Sequence, residues 1–242
     1  MTPRLGDIWV YLSASPLVWL TATLAAYQLA LWISRLARQH PLANPVALAV
    51  SAIVAVLTVT GVPYDTYFAG AQFVHFLLGP ATVALAIPLY AQFDRLRRMA
   101  LPLAAALTAG SAAGAASAMA IAWLLGAEHS TVLSLAPKSV TAPIAMGIAE
   151  RIGGLPSLTA VLVVTTGIVG AVLGPPLLRW LRIDDDAVAG FSIGVAAHGI
   201  GTARAFQISE SAGAFAGLAM GLNGLLTALL LPLALRLTGA LP

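Results

Sequence analysis

The chain has 242 residues, 60% of them hydrophobic and only 9% charged, with a mean hydropathy of +0.92 and a formal charge of +3. Soluble domains carry about 25% charged residues, so a chain this poor in charge cannot cover itself in water and reads as an all-α integral membrane protein. Its positive charges are too scattered for a nucleic-acid stripe, and a sequence without cysteine has no disulfide, thiolate nucleophile or thiolate metal site.

At ~20 residues per crossing, the length predicts about seven transmembrane helices in a single transmembrane domain over 1–242, with no separate soluble domain. The first crossing is expected over Ile8–Ile33, retained rather than cleaved. Trp9, Tyr11 and Trp19 lie toward one of its ends and Tyr27 and Trp32 toward the other, as interfacial belts favour. After Arg35, Arg38 and His40, the residues Pro41, Asn44 and Pro45 open a second helix that ends near Thr60. These two helices form a scaffold over 1–66, closed by the turn Gly61–Asp65.

The third helix, Tyr67–Tyr90, is interrupted at Gly79-Pro80, where Pro80 removes a backbone donor. Asp94-Arg95-Leu96-Arg97-Arg98 is the strongest basic loop. Leu101–Leu125 is rich in Ala, Gly and Ser, and Gly110 and Gly114 frame a small-residue face for close packing. Glu128 and His129 follow in a loop, and the short segment Thr131–Glu150 holds Pro137, Lys138 and Ser139 in its middle. Leu158–Trp180 comes next, ending at Gly174-Pro175-Pro176 with Arg179 and Arg182. Asp184, Asp185 and Asp186 read as a solvated cap on the next helix rather than a cation site. That helix, Val188–Ile208, is long enough to cross, Glu210 marks its far end, and Ala214–Leu237 is the last crossing, with Asn223 and Arg236.

Charge decides the form of Thr131–Glu150. If it dips in and returns, Arg35, Arg38, Arg95, Arg97, Arg98, Arg179, Arg182 and Arg236 share one face, leaving Arg4 and Arg151 opposite. The positive-inside rule prefers this re-entrant hairpin. It puts the N-terminus outside the membrane and the C-terminus inside. Gly79-Pro80-Ala81-Thr82-Val83 before Leu101 and Thr108 recurs as Ala136-Pro137-Lys138-Ser139-Val140 before Leu158 and Thr165. An inverted repeat with broken helices is therefore expected, its units 67–125 and 131–182, followed by the broken helix and last helix over 187–237.

Breaks in membrane helices are tolerated where they are buried in protein or line a wet cavity. The chain offers three, at Gly79-Pro80, at Pro137 and at Gly199-Ile200-Gly201. Lys138, Ser139 and Thr141 are expected to start the second arm of the hairpin, and Thr202 and Arg204 the second half of the broken helix. Two cations and two helix N-termini around one cavity suit a small carboxylate, which Arg204 can grip bidentately. Competing readings stand beside this one. Lys138 could snorkel to an interface, and Arg204 could pair with Glu210 or Glu150. His198 fits plain packing and proton coupling equally, His75 fits a structural role, and Asn223 fits either a helix–helix hydrogen bond or the site. No catalytic constellation, metal cluster or cofactor fingerprint is present in the sequence, so no enzyme is expected.

Pro137 to Met146, Gly153-Gly154-Leu155-Pro156, His198-Gly199-Ile200-Gly201-Thr202-Ala203-Arg204 and Ala219-Met220-Gly221 together resemble the LrgB/CidB family. The likeness extends over nearly the whole chain, including His40-Pro41-Leu42, Asn44-Pro45-Val46 and Gly79 to Ala86; Ala142 stands where the family carries Thr. The resemblance implies two functions. One is transport of small monocarboxylates of the glycolate, glycerate, pyruvate or lactate type by alternating access. The other is a holin- or antiholin-like regulation of murein hydrolase export and cell lysis, with a small LrgA/CidA-type membrane partner. The cations at backbone breaks favour the carrier, coupled to H⁺ or Na⁺, with a core of hairpin and broken helix moving against the scaffold. The glycine-rich faces suit a homodimer.

Overall fold

In a computed structural model, the described residues are 15–38, 43–77, 80, 83–84, 86–237 and 239. The helix start expected at Ile8, with Trp9 and Tyr11, and also Arg4, the His40-Pro41 turn, Gly79 and the side chain of His75 lie outside the described residues. All the described elements are helices, divided between two compact units, Met1–Ala84 and Leu85–Pro242. Four of the helices are long and apolar enough to cross a membrane, consistent with a membrane protein.

In the first unit, α1 (Pro16–Leu36) packs on both α2 (Pro45–Thr60) and α3 (Tyr64–Phe76). Asn44 starts α2 by accepting from the N–H groups of Val46 and Ala47 at 2.9 and 3.1 Å, and Pro45 follows with no donor to lose. Gly61 ends α2 in the left-handed conformation, φ 67°. Trp19 is not a belt residue but fully buried, edge-on to Tyr67 at 5.9 Å, where α1 meets α3. Of the third helix expected over Tyr67–Tyr90, α3 covers the part up to Phe76; at the expected interruption Gly79 lies outside the described residues, and Pro80 is helical and exposed.

The second unit contains α4 (Ala86–Ala91), α5 (Phe93–Arg98), α6 (Ala100–Leu124), α7 (His129–Leu135), α8 (Ala142–Ile152), α9 (Pro156–Trp180), α10 (Asp186–Ile208) and α11 (Glu210–Leu237). At 1.5 Å per residue α7 and α8 are about 10 and 16 Å long, so neither alone spans ~30 Å of hydrocarbon. Between them the chain from Ala136 to Thr141 leaves the helical path. It then returns alongside α7. Ser134 accepts from the Leu155 N–H at 2.7 Å, Thr159 donates to the Ser134 carbonyl at 3.1 Å, and a Cβ on Gly154 would press on the Ser134 nitrogen at 3.0 Å.

The helix expected to run straight from Val188 to Ile208 is folded back on itself. α10 has 23 residues and would measure about 35 Å if straight. Yet Arg95 bonds Asp185, before it, and Ser211, after it, at 2.7 and 3.5 Å. The chain doubles back at Ala197 and His198, whose φ/ψ of −127°/15° and 41°/−135° are non-helical. The packing agrees. Gly190 and Gly194 face Ala212 and Ala216, so the first arm runs parallel to α11, whereas Phe206 and Thr202 meet Gly213 and Met220 in antiparallel order. A Cβ on Gly201 would meet Ile193, eight positions earlier, at 2.9 Å. An apolar run long enough to span hides this fold, because composition records length and not direction.

Two consequences follow. First, Arg236 lies at the far end of α11 from Arg95 and Asp185, so the expected sharing of one face by Arg236 and the Arg95 loop is overturned. Second, a helix followed by a broken pair occurs twice, in Ala100–Ile152 and in Pro156–Ile208, and the long helices that open them have 25 residues each. This order begins later than the expected unit over 67–125, which straddles the two compact units.

Candidate functional site

The two broken segments come together at Asn223. Its amide donates to the carbonyl of Ser139, between α7 and α8, at 3.3 Å and to that of Val195, in the last turn before the α10 break, at 3.0 Å. Such carbonyls lose helical partners at a break, and leaving one buried and unpaired costs about 1–3 kcal/mol. Asn223 Oδ1 accepts from Thr227 at 3.3 Å, and Thr227 is in turn 3.3 Å from Ser111 on α6. Asn223 is 1% exposed, and both its donors and its acceptor are engaged. It frames the site and has no donor left for a bound molecule.

The small-residue face of α6 backs this junction: Gly110 approaches Val195 and Gly114 approaches Ser139, at ordinary contact distance. Pro137 is fully buried beside them in sequence. Lys138 is half-buried, and its Nζ donates to Ser139 Oγ at 3.3 Å. Thr141 caps α8 by its extended backbone, φ −64° and ψ 147°, without a side-chain bond.

On the α10 side the break is at Ala197 and His198, not at the expected Gly199-Ile200-Gly201, which continue as helix. A non-glycine residue held at positive φ costs of order 1–3 kcal/mol and persists only where its surroundings fix it. Here they do. The His198 ring is 5% exposed, its Nε2 donates to the Val163 carbonyl at 2.9 Å, and it is seated on Gly167, where a Cβ would stand 2.8 Å from Cε1. Because a carbonyl only accepts, the proton sits on Nε2. Thr202 donates to the His198 carbonyl at 2.8 Å, bracing the turn. Gly199 is half-buried near Met220, and Gly201 is where the returning arm passes close to the outgoing one. Gly201 thus serves close approach, Gly199 has room for a Cβ, and neither makes the turn itself.

Arg204 lies farther along the returning arm. It donates to Gln207 Oε1 at 2.7 Å, and its Nε is buried without a partner. The pairing with Glu210 or Glu150 does not occur; among the described residues the ion pair is Arg95–Asp185. The structure therefore groups Pro137, Lys138, Ser139, Gly199, Gly201, Thr202, His198 and Asn223 around the two breaks, and places Arg204 farther along the returning arm, bonded to Gln207. Val163, Gly167, Ser111, Thr227, Arg95 and Asp185 were not legible as parts of this frame; only the Asp185 cap was, and its carboxylate accepts from Ala187 and Val188 at 2.8 and 3.1 Å.

The model of the LrgB-like family matches residues 23–237. Two Bacillus subtilis proteins, YwbG and YxaC, are 38% and 37% identical, over 76% and 87% of this chain and 82% and 91% of their own lengths. A Staphylococcus epidermidis protein named holin-like protein CidB is 29% identical over 82% of this chain and 86% of its own length. No solved structure matches the chain.

Proposed function

The chain belongs to the LrgB-like family, and from that premise we propose that it is a carrier of small organic monocarboxylates, working by alternating access in the bacterial inner membrane. In this reading α6, α9 and α11 cross the bilayer. The α7–α8 pair and the folded α10 enter from opposite faces as an inverted repeat, so that two breaks meet at mid-depth. The end bearing Arg95, Arg97, Arg98, Arg179 and Arg182 is the inner one, which puts the Arg236 end of α11 outside.

The observation that carries the proposal is the Lys138 ammonium. It sits half-buried at a backbone break, with a hydroxyl and no carboxylate bonded to it among the described residues. A cation in hydrocarbon costs at least about 2.5 kcal/mol on insertion scales and usually marks a polar pathway. A carboxylate supplies the missing charge. Arg204, with its free Nε, is placed to draw the anion from the inner side. His198 offers a proton site next to the same break.

The test is uptake of labelled glycolate, glycerate, pyruvate and lactate into proteoliposomes holding this chain alone, with and without a pH gradient. Saturable uptake that falls by at least about tenfold in Lys138→Ala, the loss expected when a charge-assisted contact worth ~1.5–3 kcal/mol is removed, supports the carrier. The second reading, a holin-like regulator, is favoured by the name of the CidB relatives. It gains if no acid moves with or without a small LrgA-type partner, and if Lys138→Ala changes only assembly size.

A further inference from the structure

The hairpin made by α10 is tied at both ends by quite different means. Its tip is held by neutral, buried bonds, from Asn223 to Val195 and from His198 to Val163. Its base has, besides the packing of Gly190 on Ala212 and of Phe206 on Gly213, one guanidinium tie. Arg95 Nη2 lies 2.8 and 2.7 Å from the two Asp185 oxygens, Nη1 lies 3.5 Å from Ser211 Oγ, and the guanidinium carbon sits 5.7 Å over the ring of Phe215. The pair is open to water, with side chains 35% and 47% exposed.

A cation is poorly suited to this place by helix electrostatics alone. α10 and α11 both begin here, at Asp186 and Glu210, and the N-terminal end of a helix repels positive charge. Asp185 supplies the one opposite charge that offsets this repulsion, beside the weaker holds of Ser211 and the Phe215 ring. Asp185 already caps α10 through Ala187 and Val188, so one carboxylate serves both the start of the outgoing arm and the tie to α5 and α11.

We infer that Arg95 is the positioning residue of the α10 hairpin: it closes the hairpin's base against α11, and parting of the Arg95–Asp185 pair is the step that lets the returning arm separate. This goes beyond the carrier proposal and does not depend on which molecule, if any, the separation exposes.

The chain has no cysteine, so Ala205→Cys introduces a single thiol on the returning arm at a fully buried position packed on Ala212 and Ala216. The measurement is its labelling rate by a small thiol reagent, in the full chain reconstituted in lipid, at fixed pH. Asp185→Asn keeps the capping oxygen, since Asn caps as well as Asp, and deletes only the charge. Labelling is expected to rise about two- to fivefold in Arg95→Gln and in Asp185→Asn, the range an exposed ion pair supports, with no further rise in the double variant. Arg95→Lys, which keeps the charge without the fork, should fall between. Raising the ionic strength from about 0.01 to about 1 M shortens the screening length from about 30 to about 3 Å; it should speed labelling with Arg95 and Asp185 intact and leave both single variants unmoved. Unchanged labelling in the two single variants overturns the inference. So does an additive rise in the double variant, or a rise that keeps its salt dependence after the pair is gone.

Discussion

The two broken segments meet at one amide but are broken in opposite ways. Between α7 and α8 the chain leaves the helix over Ala136 to Thr141 and carries Pro137 there, with Pro143 opening the next helix. Pro137 removes one donor, and the N–H groups of Ala136, Lys138 and Val140 turn to carbonyls three residues back. In α10 there is no proline, and the turn is concentrated at Ala197 and His198, with His198 at φ 41°. That break is made by neighbours: Val163 holds the ring, Gly167 makes room for it, Thr202 braces the carbonyl and Arg95 gathers the two ends. One break is written in the local sequence and the other in tertiary contacts. The second should therefore be the more fragile to changes made elsewhere in the chain.

The sharpest way to break this comparison is at Gly167. Its Cβ position is 2.8 Å from the His198 ring and 2.9 Å from Ile200 Cδ1, so Gly167→Val forces the ring out of its seat. The expected cost is about 1–3 kcal/mol, as for overpacking a filled core, with a lower melting temperature in detergent. Pro137→Ala is the matching change in the other segment. The Asn223–Ser139 bond still holds the turn there, so the cost should be about 1–2 kcal/mol, from the lost buried ring carbons and a freer unfolded chain, with the path of the segment kept. If Pro137→Ala proves the more damaging, the contrast between the two breaks is wrong.

The same contrast explains what the sequence reveals and what it hides. The membrane class follows from composition, Asn44 and Asp185 announce their helices, and Pro137 marks a break where the chain has one. The direction of α10 is not legible, because an apolar run of 23 residues reads as a crossing whether it runs straight or folds. The glycines at 199 and 201 drew the break two residues too far along, since glycine signals both freedom and close approach and only the structure tells which is used. Asn223 was readable as a polar residue in an apolar helix, but its commitment to two carbonyls needs both breaks to be in place. Arg95 read only as one charge in a basic loop, because its partners lie 90 and 116 positions away.

The smallest expected effect concerns the base of the hairpin in acid. The Val188 N–H donating to the Asp185 carboxylate, helped by that of Ala187 and by the Arg95 charge beside it, holds its carboxyl below the usual aspartate range against the opposing cost of burial. A carboxyl whose pKa is lower in the folded chain contributes stability above its unfolded pKa, near 4, and loses it as pH falls through the lowered folded value. The difference in melting temperature between the parent chain and Asp185→Asn should accordingly stay constant from pH 7 to about 5, and shrink only below about pH 4. A difference that vanishes near pH 6 would instead point to a histidine, and the tie at the base would then have to be sought in a partner other than Asp185.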